Sequence, residues 1–265
     1  MHSDNRMLNL MAMTRLFTIM IITLVLTYAL FCIALFVFQR TLIYYPQPAH
    51  NRNNIEVLSL VSDKESIQVS VKPLNTDNAV IYFGGNAEDV SFSLPAYARI
   101  FPNDAIYMMH YRGYADSTGK PSEQGLYNDA LNLYDKVAKQ HSHITVIGRS
   151  IGSGIATRLA SERQIARLVL VTPFYSLEET AAQQFPWFPA RWLLLDKFQS
   201  WRYAKNIAIP TLIIVAEQDE IVKPSDSERL FHEFNPGIAK LKRLPGEDHN
   251  SISTNPDYWL ALKFD

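Results

Sequence analysis

Charged side chains vanish from the chain over residues 16–38, a run of 23 reading LFTIMIITLVLTYALFCIALFVF. At about 1.5 Å per residue a helix over this run reaches about 34 Å, enough to cross a hydrocarbon core of roughly 30 Å. A secretory signal would carry an apolar region of roughly 7–15 residues ending in small side chains. This run is longer and closes on Phe36, Val37 and Phe38, and bulky Phe31 before Cys32 argues against a lipid-modified cysteine. The pattern predicts an uncleaved transmembrane anchor over 16–38 behind a leader of residues 1–15. Arg6 and Arg15 precede it and Arg40 and Arg52 follow, so charge barely decides orientation. The short leader favours a domain on the translocated, periplasmic or extracytoplasmic, side.

After the anchor the pattern changes. Residues 41–46, Thr-Leu-Ile-Tyr-Tyr-Pro, either place their tyrosines at a membrane interface or begin a strand. Short strands are predicted at 55–60 and 66–72, the second alternating Ile67, Val69 and Val71 with Gln68, Ser70 and Lys72. Continuous apolar runs then recur at 79–83, 105–110, 144–147, 167–172 and 211–216, as in strands covered on both faces, and a last strand follows at 238–244. Helical patterns separate them at 90–100, 122–140, 151–163 and 224–234, with a last helix from about 252. This alternation predicts a single α/β domain over 42–265, with a mostly parallel central sheet and helices on both sides. Residues 173–208 interrupt it. They hold Phe185, Pro186, Trp187, Phe188, Pro189 and Trp192, and read as a small helical cap whose Phe185, Trp187 and Trp192 line an acyl pocket or touch a bilayer.

Composition narrows the classes. A net charge of −1 and a pI near 6.7 give no electrostatic footprint for nucleic acid. The single cysteine, Cys32, rules out an intramolecular disulfide. The His141-x-His143 pair lacks further ligands, so no metal is expected. The run from Gly113 to Pro121 imitates a phosphate loop but has the wrong glycine spacing, and Pro121 stands where a magnesium-holding hydroxyl belongs. No cofactor is expected.

The candidate chemistry lies at Gly148-Arg149-Ser150-Ile151-Gly152, between an apolar strand and a helix. In that context Gly-x-Ser-x-Gly is a nucleophile elbow, a turn so tight that only small residues fit beside the serine. A serine hydroxyl needs a base and a group to orient that base. Of seven histidines, His249 alone sits in a loop after a late strand, which makes it the candidate base. Asp219 closes the strand at 211–216 and is the candidate acid. Glu217 and Glu220 are alternatives, while Asp248 is too near His249 to reach round the ring. The backbone N–H groups of Ile151 and of Asn86, in the loop Gly84-Gly85-Asn86, are the candidate oxyanion donors.

These motifs together resemble the α/β-hydrolase-fold serine hydrolases, in particular the membrane-anchored Bem-type and serine aminopeptidase-like branch. The matching residues are Phe-Gly-Gly-Asn-Ala-Glu-Asp at 83–89, Tyr-Arg-Gly-Tyr-Ala-Asp-Ser-Thr-Gly-Lys-Pro-Ser-Glu at 111–123, Gly-Arg-Ser-Ile-Gly-Ser-Gly at 148–154, Ile-Pro-Thr-Leu-Ile-Ile-Val at 209–215 with Asp219, and Gly246 with His249. Two departures stand out: Phe83-Gly84-Gly85 replaces the usual His-Gly before the asparagine, and Ala115 replaces a glycine. The resemblance implies an α/β-hydrolase fold over roughly 42–263, together with a Ser-His-Asp hydrolase of carboxylic esters or thioesters. An aminopeptidase-like activity is the alternative, with Glu178 or Glu179 receiving a substrate amine. A catalytically silent, membrane-tethered binding module is the third reading.

Overall fold

The computed structural model describes residues 2–50 and 55–263; Arg52, weighed above for orientation, lies outside them. The chain forms two compact units, Met1–Leu42 and Ile43–Asp265. The first is a helix, α1, His2–Ile43, whose stretch Met7–Ile43 is long and apolar enough to cross a membrane. It runs past the uncharged stretch at both ends. The residues just before that stretch (Met, Leu and Ala among them) are good helix formers. Four of its threonines satisfy their own hydroxyls: Thr14, Thr18, Thr23 and Thr27 each donate to the carbonyl four residues back, at 2.8–3.0 Å, so these four need no water.

The second unit is built on one eight-stranded sheet. Its strands are β1 Glu56–Ser62, β2 Glu65–Lys72, β3 Asn78–Phe83, β4 Ala105–Met109, β5 His143–Arg149, β6 Arg167–Val171, β7 Thr211–Ala216 and β8 Ala239–Leu244. They lie in the order β1-β2-β4-β3-β5-β6-β7-β8. β1 and β2 form an antiparallel hairpin closed at Ser62↔Glu65, and β2 meets β4 antiparallel. Asp63 and Lys64 turn that hairpin with φ of 48° and 72°, the left-handed geometry a two-residue hairpin demands. From β4 to β8 every pairing is parallel.

The continuous apolar strands bury both faces. In β3, Ala79, Ile81 and Phe83 enter one core and Val80 and Tyr82 the other. Helices α2 Leu94–Ile100, α3 Glu123–Val137, α4 Ile151–Glu162, α5 Leu177–Gln184, α6 Ala190–Leu193, α7 Trp201–Ala204, α8 Pro224–Glu233 and α9 Pro256–Ala261 complete the unit. Ser122 caps α3 by accepting from the Gly125 N–H at 3.1 Å. The helix expected over 90–100 is divided. A 3₁₀ turn, Val90–Phe92, ends at Ser93 and α2 begins beyond it. Pro95 has no N–H to carry one continuous ladder across that point and suits a helix's first turn instead.

Parallel strands end together, so the loops leaving β3, β5, β7 and β8 share one edge of the sheet. They are the loops that hold Gly84–Asn86, Ser150, Asp219 and His249. That carboxyl edge is where open α/β sheets assemble binding sites.

Candidate active site

Ser150 leaves β5 with φ 49° and ψ −117° and starts α4 immediately. A non-glycine residue in that region is strained, and close packing holds it there. A Cβ on Gly152 would lie 2.1 Å from the Phe83 carbonyl oxygen, and one on Gly148 2.4 Å from the Gly152 carbonyl oxygen. The two glycines let the elbow helix press onto the ends of β3 and β5. The turn is also tied to β6, since the Ser150 N–H donates to the Val171 carbonyl at 2.9 Å.

The three residues singled out from sequence meet at this edge. His249 Nε2 lies 3.0 Å from Ser150 Oγ, and His249 Nδ1 lies 2.7 Å from Asp219 Oδ2. The Asp219 side chain is 1% exposed and that of His249 9%. Asp219 Oδ1 accepts the backbone N–H groups of Ile221 at 2.9 Å and Val222 at 2.7 Å, which fixes the carboxylate and leaves Oδ2 to the imidazole. The Gln218 N–H donates to the Glu247 carbonyl at 2.8 Å and so ties the acid loop to the histidine loop. Glu217 and Glu220 are exposed. Asp248 turns away to cap its own loop, accepting from Asn250 N at 2.7 Å and Ser251 N at 2.8 Å; these bonds lower its pKa.

The backbone N–H groups of Ile151 and Asn86 have no acceptor among the described residues. The Asn86 loop is braced from several sides. The Asn86 carbonyl accepts from Tyr45 N at 3.3 Å and from the Tyr114 hydroxyl, and the Asn86 side chain donates through Nδ2 to the Ile43 carbonyl at 3.0 Å. The Tyr111 hydroxyl donates to the Gly84 carbonyl at 2.7 Å. Phe83 stands in the core with no exposure.

Sequence reasoning missed the residue at the centre of that loop. Glu88 Oε2 accepts from Gly85 N at 2.9 Å, and Glu88 Oε1 from Tyr82 OH at 2.9 Å and Ser93 Oγ at 2.8 Å. Arg149, inside the elbow motif, places Nη1 3.4 Å from Glu88 Oε2 and donates through Nη2 to the His249 carbonyl at 3.2 Å. Burial and then the Glu88 charge push the Tyr82 hydroxyl well above its usual pKa, so it stays a donor. A pair of opposite charges on two loops at the ends of otherwise apolar strands was the available signal.

The cap residues take other places. Phe185, Trp187 and Trp192 are 60%, 83% and 86% exposed, so they face solvent and do not line an enclosed pocket. Glu178 pairs with Lys197 at 2.8 Å and Glu179 with Arg229 at 2.7 Å, which commits both carboxylates weighed for a substrate amine. Of the other histidines, His110 Nε2 lies 2.8 Å from Ser70 Oγ and His141 Nε2 2.9 Å from Tyr107 OH. Among the described residues no group of three or more His, Cys, Asp or Glu is placed to hold a metal ion. A cavity of about 370 Å³ opens at the opposite edge of the sheet, beside Asn78, His143 and Arg167, where β3, β5 and β6 begin; it belongs to a different part of the unit from Ser150.

The arrangement is equipped for acyl transfer. An imidazole in reach of a hydroxyl can take its proton. A buried carboxylate on the far nitrogen holds the ring and its charge. The N–H groups of Ile151, next in sequence to Ser150, and of Asn86, on the loop leaving β3, have no acceptor among the described residues and are of the kind that receives an oxyanion in such chemistry.

Comparison with known proteins agrees with this fold. A family model described as alpha/beta hydrolase fold matches residues 78–200. An uncharacterized protein of Mycobacterium tuberculosis is 37% identical over 180 residues, covering 65% of this chain and 63% of that protein. Protein bem46 of Schizosaccharomyces pombe is 29% identical over 198 residues, covering 69% and 65%. The lysophosphatidylserine lipase ABHD12 of Rattus norvegicus is 35% identical over 187 residues, covering 60% and 47%. The matches thus span about half to two thirds of these relatives. An esterase of Pyrococcus furiosus superposes with a TM-score of 0.67 at 17% identity, over 83% of this chain and 95% of its own. By its sheet, its elbow and these similarities, the chain has the α/β-hydrolase fold.

Proposed function

We propose that the chain is a membrane-anchored serine hydrolase of carboxylic esters or thioesters with an apolar acyl part. The observation that carries this reading is the Ser150–His249–Asp219 relay, with bonds of 3.0 and 2.7 Å, on a strained elbow. Ser150 Oγ attacks the acyl carbon while His249 Nε2 takes its proton. The oxyanion is received by the N–H groups of Ile151 and Asn86. Collapse of that intermediate expels the alcohol or thiol, which leaves with the proton from His249, and the acyl group stays on Ser150. Water, deprotonated by His249, then attacks the acyl-enzyme and frees the acid. Asp219 orients the imidazole and balances its charge throughout.

The relatives support an acyl-ester substrate: one is a lysophosphatidylserine lipase and a structural neighbour is an esterase. The apolar α1 supports single-pass anchoring. The two carboxylates weighed for the aminopeptidase alternative, Glu178 and Glu179, are both paired, with Lys197 and Arg229.

The test uses the full chain in detergent micelles. A fluorophosphonate probe labels the wild type and leaves Ser150→Ala unlabelled, and Asp219→Asn hydrolyses p-nitrophenyl esters about 10⁴-fold more slowly. Equal labelling of wild type and Ser150→Ala overturns the assignment. Turnover of aminoacyl amides in preference to every ester overturns the substrate class.

A further inference from the structure

Tryptophan is on average a strongly buried residue, yet this chain places two of its four at 83% and 86% exposure within six positions of each other. Phe185 at 60% and Leu195 at 54% stand in the same stretch. The stretch is knit by its own turns: Phe188 N donates to the Phe185 carbonyl, Trp192 N to that of Pro189, and Leu194 N to that of Ala190. It is a short shaped element that presents large apolar side chains outward. Arg191, exposed between them, has no ion-pair partner among the described residues.

Two sets of bonds fix where this element sits. At its start, Gln184 Nε2 donates to the carbonyls of Glu220 at 2.8 Å and Ile221 at 3.3 Å. Ile221, itself 47% exposed, donates its N–H to Asp219. The start of the stretch, at Gln184 and Phe185, therefore borders the loop that carries the acid of the relay. At its end, Asp196 accepts from the Tyr44 hydroxyl at 3.3 Å and from Glu123 N at 3.2 Å. Tyr44 is the residue directly after the apolar α1, and it is buried in the core of the second unit.

We propose that Phe185, Trp187, Trp192, Leu195 and Ile221 form a lipid-docking surface that sinks into the interface of the bilayer carrying α1, with Arg191 reaching lipid phosphate. The proposal rests on the membrane-anchored reading given above. Tryptophan favours the headgroup level, where an apolar ring body and a polar edge are both accommodated, and phenylalanine and leucine serve on the buried apolar face of interfacial elements. A surface of this kind buries its rings roughly 5–10 Å into the headgroup boundary. Lipid is the occupant the chain itself supplies, since α1 holds the domain at a bilayer whatever else is present. Docking there turns the rim beside Asp219 toward the membrane, so an amphiphilic acyl ester passes to Ser150 from the lipid phase.

The chain offers a clean reporter, because all four tryptophans lie in the second unit and α1 has none. The full chain is reconstituted into phosphatidylcholine vesicles with and without bromine on the upper acyl carbons. Bromolipid is expected to remove about half of the tryptophan emission, since two of the four residues lie in the docking stretch. Trp187→Ala/Trp192→Ala, two exposed substitutions that leave the core intact, is expected to abolish that quenching. The same variant is expected to lose activity on long-chain esters presented in vesicles and to keep it on soluble p-nitrophenyl acetate. Unchanged emission in bromolipid overturns the proposal. If those tryptophans are then also shielded from aqueous acrylamide, a protein partner covers the surface instead. Alkaline carbonate extraction reports separately on α1: a chain that resists extraction but shows no quenching keeps its anchor and loses this surface.

Discussion

The Arg149 guanidinium donates through Nη2 to the backbone carbonyl of His249 at 3.2 Å and lies 3.4 Å from Glu88 through Nη1. One side chain, rooted beside Ser150, thus bridges the loop of the histidine and the loop of Asn86. Glu88 in turn holds Gly85 by its N–H at 2.9 Å. The distances among nucleophile, base and oxyanion donor depend on this pair as well as on the strands.

Removing Arg149 should therefore loosen catalysis more than binding. For Arg149→Met, kcat on a p-nitrophenyl ester is expected to fall about 10- to 100-fold with KM little changed, since displacements near 1 Å at reacting groups cost that much. Stability should fall by about 1–3 kcal/mol, because the Glu88 carboxylate, 11% exposed, loses a partner. Arg149→Lys keeps the charge beside Glu88 and should recover stability ahead of kcat, for an ammonium lacks the fork that spans two acceptors. A variant with lowered melting temperature but unchanged kcat would reduce the pair to a structural role.

The elbow glycines make a second prediction, one that separates collision from strain. Gly152→Ala puts a methyl 2.1 Å from the Phe83 carbonyl oxygen, where only backbone could move. It should destabilise the domain by more than about 3 kcal/mol or prevent folding. Gly246→Ala meets nothing within 4 Å but requires φ of 77°, so it should cost about 1–2 kcal/mol from conformation alone. Gly85→Ala, whose Cβ would stand 3.7 Å from Glu88 Oε2 in ordinary contact, should stay within about 0.5 kcal/mol. Urea denaturation of the three variants gives the order; a Gly152→Ala as stable as Gly85→Ala would contradict the packing.

What the sequence revealed was local. The strand ending at Arg149, the glycines around Ser150, and the succession Ser150, Asp219, His249 are patterns within a few residues or a simple order along the chain. The parallel sheet followed from apolar runs that bury alternate residues such as Ile81 and Tyr82 on opposite faces. What stayed hidden depends on contacts across long separations. Tyr114 reaches the Asn86 carbonyl across 28 positions and Arg149 the His249 carbonyl across 100. The aromatic cap was visible as composition, but whether Trp187 and Trp192 pack inward or outward is not encoded in spacing around two prolines. The break at Ser93 was in principle legible, since Pro95 cannot continue a ladder begun at Val90.

Asp89 makes the last prediction, and it concerns acid. Its buried side chain accepts from Ser91 N at 3.0 Å, Ser91 Oγ at 2.6 Å and His50 Nδ1 at 2.9 Å, with His110 Nδ1 at 3.9 Å. Burial alone would raise its pKa. The Ser91 and His50 hydrogen bonds and the His110 charge outweigh it, and the pKa is lowered. A carboxyl depressed on folding contributes stability that is fully present above its unfolded value, about 3.9, and is lost as pH falls through the lower folded value. Asp89→Asn removes that charge and weakens the cap of the turn Val90–Phe92, so near pH 7 it should cost about 1 kcal/mol, as a lost cap does. The gap between wild type and variant should hold down to about pH 4 and close below it. Urea midpoints of both proteins from pH 7 to pH 3 measure it. A gap that stays constant over the whole range would assign the effect to shape and hydrogen bonding rather than to the carboxylate's charge.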